Sequence, residues 1–246
     1  MKSSMFLTKV RKSALDFLIA PKANCIGCTS PLGANNSFLC SNCFASLSPL
    51  YTTHEGARKI CRLCGSEIDG LRCRCGGRAE NAYNTYSAYY FELPVSTLIK
   101  SFKYKSITSL ADWLSDEMIS ALKNERDFDV ITFVPMHPLR KIKRGFNQSE
   151  ILAKCISEKL QIPCASIIKR SRFTRKQATL SGDKRRKNLV NAFKMKDTDV
   201  KDKRILIVDD VRTTGTTIIS CANLLKENGA GRISALTLAC AKRKKS

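Results

Sequence analysis

From about residue 81 onward, the chain alternates between two hydrophobic rhythms. "NTYSAYYFEL" is dense in aromatic and β-branched residues and predicts a strand. "VSTLIKSFKY" and "SLADWLSDEMISALK" repeat apolar residues at helical spacing and predict two helices. "DVITFVP" is a continuous apolar run, as a buried strand requires, and "QSEILAKCISEKL" returns to the helical period, with Ile151, Ile156 and Leu160 among its apolar positions. A second buried strand, "RILIVDD", is followed by a helix, "TTIISCANLLKENGAG", that ends at a glycine-rich stop, and "RISALTLAC" closes the series as a strand. Strands alternating with helices, several of them apolar throughout, predict an α/β fold with a parallel sheet covered on both faces. At the other end of the chain, Phe6, Val10, Ala14 and Phe17 recur at helical spacing and predict a short amphipathic helix over residues 1–20.

Between these parts, over residues 21–80, the hydrophobic rhythm gives way to cysteine. Eight of the twelve cysteines fall here, spaced Cys25-x₂-Cys28, Cys40-x₂-Cys43, Cys61-x₂-Cys64 and Cys73-x-Cys75. Two cysteines this close form a chelating knuckle, and two knuckles complete a closed tetrahedral Cys₄ site for Zn²⁺. A segment of about 55 residues with few large apolar side chains cannot bury a sufficient core, so two structural zinc ions would supply its folding energy. Consecutive pairing of the knuckles is the simplest arrangement, and the spacing leaves interleaved pairing open. Structural disulfides and a redox Cys-x-x-Cys are the competing readings. A redox motif calls for one pair on a helix, whereas here four pairs lie in a Gly/Ser/Asn-rich stretch. His54, between knuckles that already offer eight thiols, reads as a surface residue. Cys155, Cys164, Cys221 and Cys240 sit among apolar positions and read as small buried hydrophobes.

Charge changes the picture next. The 246 residues carry 43 Lys and Arg against 21 Asp and Glu, a net charge of +22, which favours polyanionic partners such as nucleic acid, anionic membrane or phosphorylated small molecules. No run of 18 apolar residues predicts a membrane span, and the N-terminus has neither the long apolar core nor the small-residue cleavage site of a signal peptide, so a cytoplasmic location is expected.

The candidate chemistry lies in "RILIVDDVRTTGTTI". In parallel α/β sheets, ligands bind beyond the carboxyl ends of the strands, where this pattern places Asp209 and Asp210. The loop that follows is short-chained, with Gly215 able to take conformations closed to other residues. Its amides, the Thr hydroxyls and the start of the next helix make a phosphate cradle. Carboxylates repel phosphate, so they must serve another part of the same ligand: sugar hydroxyls, or a bound Mg²⁺. A ribose phosphate satisfies both halves. The chain lacks the G-x₄-G-K-[ST] partner of an ATPase strand and the G-x-G-x-x-G of a dinucleotide fold.

"ILIVDDVRTTGTT" resembles the 5-phosphoribosyl 1-pyrophosphate (PRPP) signature of type I phosphoribosyltransferases. "DVITFVPMHPLRKIKRGFNQSEILA", "RFTRKQATLSGDKRRKNLVNAF" and the cysteine-rich double ribbon before them are similar to the ComF/ComFC (GntX-like) family. The resemblance implies a zinc-ribbon domain over 21–80 and a phosphoribosyltransferase-like domain over 81–246. It implies that Asp209 and Asp210 meet the ribose hydroxyls, and that Thr213, Thr214, Gly215, Thr216 and Thr217 wrap the 5′-phosphate, with magnesium accompanying PRPP. The pyrophosphate loop would hold Met136 and His137, with Arg140, Lys141, Lys143 and Arg144 nearby. For His137, ligand contact and simple loop packing both remain open. Lys169 to Lys187, with nine basic residues and one acid, matches the mobile loop that closes over PRPP, and Gln177, Arg185 and Asn188 fit the family pattern.

The family also implies a second class of function, the handling of single-stranded DNA in natural transformation or DNA utilisation, alongside DNA-uptake or recombination proteins. Lys100, Lys103, Arg172, Arg175, Lys176 and Arg185 are the expected backbone contacts. The alternative is a working transferase with an unidentified acceptor and no direct DNA role. No acceptor-binding hood is recognisable.

Overall fold

The computed structural model describes residues 24–32, 38–52, 57–63, 67–105, 108–171 and 192–242. The expected helix over 1–20, His54, Cys64 and the cations Arg172, Arg175, Lys176 and Arg185 lie outside them. The chain forms two compact units, Met1–Ser46 and Leu47–Ser246. Its helices are α1 (Ser41–Ala45), α2 (Val95–Lys105), α3 (Thr108–Ala121), α4 (Pro138–Arg144), α5 (Gln148–Leu160) and α6 (Thr216–Glu227). Its strands are β1 (Ala57–Ile60), β2 (Glu67–Ile68), β3 (Tyr83–Tyr90), β4 (Val130–Phe133), β5 (Ile168–Arg170), β6 (Phe193–Met195), β7 (Arg204–Arg212) and β8 (Arg232–Cys240).

In the first unit, the chain turns back on itself between Cys25 and Cys40, with Ile26 N–H donating to Phe38 O at 2.9 Å and an isolated bridge joining Asn24 to Pro31. Among its described residues only Cys25 and Leu39 are buried.

The second unit is organised by a six-stranded sheet of order β2-β1-β3-β8-β7-β4. Strands β3, β8, β7 and β4 run parallel. The central strand β7 explains the arrangement. Ile205, Leu206, Ile207 and Val208 are all fully buried, which only a strand covered on both faces allows. Ile205 and Ile207 share a cluster with Ile218, Ile219 and Leu225 of α6 and with Phe193 of β6. Leu206 and Val208 point to the other face by the period of two, where α5 packs on β4 and β7 and α3 packs on β3, β8 and α5. Each large aliphatic side chain buried this way contributes roughly 1.5–3 kcal/mol.

The helices and long strands follow the hydrophobic rhythm, but three features depart from it. The sheet is mixed, because β1 and β2 of the cysteine segment add antiparallel strands to its edge. β1 is paired with β3 from Ala57↔Tyr86 to Ile60↔Tyr83, and the division between the two compact units falls after Ser46. The basic stretch after β4 is a helix, α4, started by Pro138 in its first turn and capped by His137 Nδ1, which accepts Leu139 N–H at 3.2 Å. Finally, β5 and β6 form a separate antiparallel pair, Ile168↔Met195 to Arg170↔Phe193, that brings together the two ends of the basic segment.

Candidate functional site

Strand β7 runs from its apolar centre directly into Asp209 and Asp210, at the carboxyl edge of the parallel strands. There the sheet is no longer fully covered, and both acids are half-buried. Each has a polar partner from a different element. Asp209 Oδ1 accepts the Ser149 hydroxyl at 2.8 Å and the Asp210 backbone N–H at 2.9 Å. Asp210 forms an ion pair with Lys103 of α2. Loss of water around it, and then the charge of Asp210, push the Asp209 carboxyl above the usual carboxylate range. Ser149, the Asp210 amide and Lys103 pull it back down.

The loop after the acids turns at Gly215, whose φ of 74° lies in the left-handed region and suits a residue without Cβ. Gly215 is also the N-cap of α6. It offers no side-chain cap, so the opening amides of that helix have no side-chain acceptor. Thr213 and Thr214 are exposed, Thr216 and Thr217 half-buried, and the Thr214 and Thr216 hydroxyls lie 2.7 Å apart. The arrangement is a short loop of hydroxyls and a helix start without a side-chain cap, beside two carboxylates.

Across from this loop, α5 opens with Asn147, whose amide donates to Val134 O at 3.1 Å and fixes the end of β4. Arg144 donates to Gln148 Oε1 at 2.9 Å. Gln148 is buried, and its Nε2 has no partner among the described residues. Met136 and His137 are half-buried, His137 as the cap of α4. Arg170, at the end of β5, lies 5.3 Å over the Phe193 ring. Burial, then the charge of Arg140, lower its pKa, and Cys221 and then Asp209 act in the opposite sense.

The structure therefore gathers Asp209, Asp210 and the Thr213–Thr217 loop with three residues that motif reading did not place there. Ser149 and Arg170 contact or approach Asp209 from elements far along the chain. Lys103, expected among DNA-facing cations, is turned instead to Asp210. Lys100, three residues earlier on α2, is exposed. The one available signal for Ser149 was its place at the start of a helix that follows a buried strand. Phe102, between Lys100 and Lys103 on α2, is a buried core residue that packs on Phe146 at 6.3 Å between ring centroids, and Tyr89 of β3 is buried as well.

The cysteines collect in consecutive order. Cys25, Cys28, Cys40 and Cys43 bring their sulfurs within 4.8 Å of one another, and Cys61, Cys73 and Cys75 do the same. Cys28 and Cys40 Sγ are 3.6 Å apart, and Cys61 and Cys75 Sγ 3.5 Å. These spacings are far beyond a disulfide of about 2.05 Å and suit thiolates around a shared cation. The donor sets fit a metal on other grounds too. Cys40 N–H points at Cys25 Sγ at 3.2 Å, as knuckle amides do. In the second group, any Cβ at Gly77 would collide with Cys61 Sγ, so the backbone is drawn up against the sulfurs.

Fold and site together define a phosphoribosyltransferase-type α/β chain carrying two groups of convergent cysteines with the spacing of metal donors, and residues 147–246 match the family model of the phosphoribosyl transferase domain. The chain is 30% identical to competence protein F of Haemophilus influenzae over 87% of its own length and 96% of that protein. It is also 30% identical to the DNA utilization protein YhgH of Escherichia coli K12, over 85% and 93%, and 24% identical to the competence protein ComFC of Bacillus subtilis, over 96% and 91%. The chain belongs to the competence protein F (ComF) family. No helix among the described residues is long and apolar enough to cross a membrane.

Proposed function

We propose that this chain binds PRPP with Mg²⁺ across Asp209–Thr217 and works in DNA uptake or utilisation, handling single-stranded DNA in the cytoplasm. One observation carries the reading: two half-buried acids at the end of the central strand open directly onto a hydroxyl-rich loop and an uncapped helix start. Asp209 and Asp210 would hold the ribose hydroxyls and, through the metal, the ligand's charge. Thr213, Thr214, Gly215, Thr216 and Thr217 would take the 5′-phosphate through amides and hydroxyls. Met136 and His137 would line the pyrophosphate site, and Arg144, with Arg140 and Arg170, would supply its positive charge. Until ligand arrives, Lys103 balances the charge of Asp210. Zn²⁺ in the two cysteine groups would be structural, with Cys64 completing the second.

The DNA half of the proposal draws on the relatives' names and on the net charge of +22. Lys100 and the cations Arg172, Arg175, Lys176 and Arg185 would track the phosphate backbone, giving binding that weakens steeply with salt. Group transfer from PRPP to an acceptor is the second reading, favoured by the match to a transferase domain.

Calorimetric titration tests the first reading. Wild type should bind PRPP with Mg²⁺, and an Asp209→Asn/Asp210→Asn variant should lose about 100-fold or more in affinity while keeping its metal and its single-stranded DNA binding. A well-folded, metal-loaded wild type that ignores PRPP would defeat it.

A further inference from the structure

The β1–β2 hairpin reaches far beyond its place in the sheet. Three strands separate β2 from β7, so in a flat sheet they would lie about 19 Å apart, at about 4.8 Å per strand. Yet Glu67 of β2 meets Arg212, the last residue of β7, with Arg212 Nη2 donating to Oε1 at 2.6 Å. No Arg and Glu side chains span 19 Å, so the hairpin must curl back over the sheet. A second contact shows where it goes. The Arg62 carbonyl, just past β1, accepts from Asn223 Nδ2 of α6 at 3.1 Å, and Asn223 Oδ1 accepts from Tyr83 OH at 2.9 Å. The hairpin thus grips the strand–loop–helix unit on both sides, at Arg212 immediately before the Thr213–Thr217 loop and at Asn223 on the helix after it.

The grip is enclosed and costly to break. The Arg212 side chain is 3% exposed and Glu67 13%, and Arg58 of β1 adds a further contact to Glu67 at 3.7 Å. Removing one member of a buried pair strands the other charge without water. The same hairpin carries the second cysteine group: Cys61 follows β1 directly, and Glu67 is registered opposite Ile60, the residue before it. A metal there would set the hairpin, and the hairpin would set the loop.

We propose that Glu67, Arg212 and Asn223 are positioning residues through which the second cysteine group holds the Thr213–Thr217 loop in its ligand-ready shape. The ligand part of this inference rests on the PRPP reading above, whereas the bracing does not. The test compares wild type, Glu67→Gln, Asn223→Ala and chelator-treated wild type. Hydrogen–deuterium exchange over 213–217 is read without ligand, metal content is assayed, and PRPP affinity is then measured. Exchange in the loop should rise severalfold in both variants and after chelation, with protection over 205–208 unchanged. PRPP affinity should fall roughly tenfold in the metal-loaded variants. If Glu67→Gln fails to fold, Asn223→Ala alone decides. Unchanged loop exchange in the folded variants would overturn the proposal, and unchanged exchange after metal removal would overturn its metal half. A wild type that does not bind PRPP, but whose loop loosens in the variants, would refute the ligand reading and leave the bracing standing.

Discussion

The two compact units are built in opposite ways: one gathers thiols, the other buries aliphatic side chains. In the first, Leu39 is the only buried residue among those described besides Cys25, one of four convergent thiols, and there is almost no apolar interior. In the second, β7 alone buries four consecutive aliphatic residues between helices on both faces. Small segments that cannot exclude water over a sufficient area depend on a few strong bonds to a cation, whereas a large sheet spreads its stability over many weak contacts. The difference also sorts the failures: loss of a bond should be all-or-none in the first unit and graded in the second.

The largest effect should come from removing the bonds. Replacing Cys40 by Ser, or stripping metal with a chelator, should unfold residues 24–46, because metal binding to such sites is worth about 10–16 kcal/mol. Protection from exchange there should vanish while residues 205–208 stay protected; retained protection over 24–46 would break the comparison. Next comes a graded loss. Leu206→Ala should cost about 2–5 kcal/mol, seen as a lower Tm in calorimetry with metal content intact. The smallest effect concerns the polar rim of the sheet unit. Asp209 is pushed up to about 7, chiefly by burial and then by Asp210, while Lys103 lowers it. Its carboxyl should therefore titrate near neutrality by ¹³C NMR, with the signal assigned by Asp209→Asn. Lys103→Met, by removing a cation that favours the charged form, should move the titration to higher pH. The sign for binding follows: a carboxylate that must be ionised to hold ribose hydroxyls or Mg²⁺ binds better as pH rises through that pKa. An unshifted titration in Lys103→Met would mean that the ion pair does not tune the site.

How much could be read in advance varied with the range of the interaction. Strands β7 and β8 and helices α5 and α6 were visible because burial on one or both faces leaves a periodic imprint over nine or more residues. The acids and the Gly215 loop were visible as a compact motif. Strands β1 and β2 were not, since four and two residues are too few to show a period. Helix α4 left a weak signal, Pro138 after His137, but exposes Leu139 and Ile142 to solvent and so buries no apolar face. Lys103–Asp210 and Glu67–Arg212 join residues more than 100 positions apart. Nothing local marks such pairs. Arg212 in particular, without an assigned role in the motif, is held by a residue in another motif altogether.

The sheet's margins have a consequence for how copies of this chain meet one another. An outer strand with a long row of open amides and carbonyls is a template on which a neighbouring molecule can lay its own backbone. Here one margin is β2, only two residues long. The other, β4, is four residues long and has the outward groups at its middle engaged: Ile131 N–H donates to Pro163 O at 2.8 Å, and Ile131 O accepts from Ala165 N–H at 2.9 Å. Among the described residues neither side of the sheet offers a landing strip, so a crowded solution of this protein should resist growing into fibres by edge addition, despite the apolar run Ile205–Val208 at its heart.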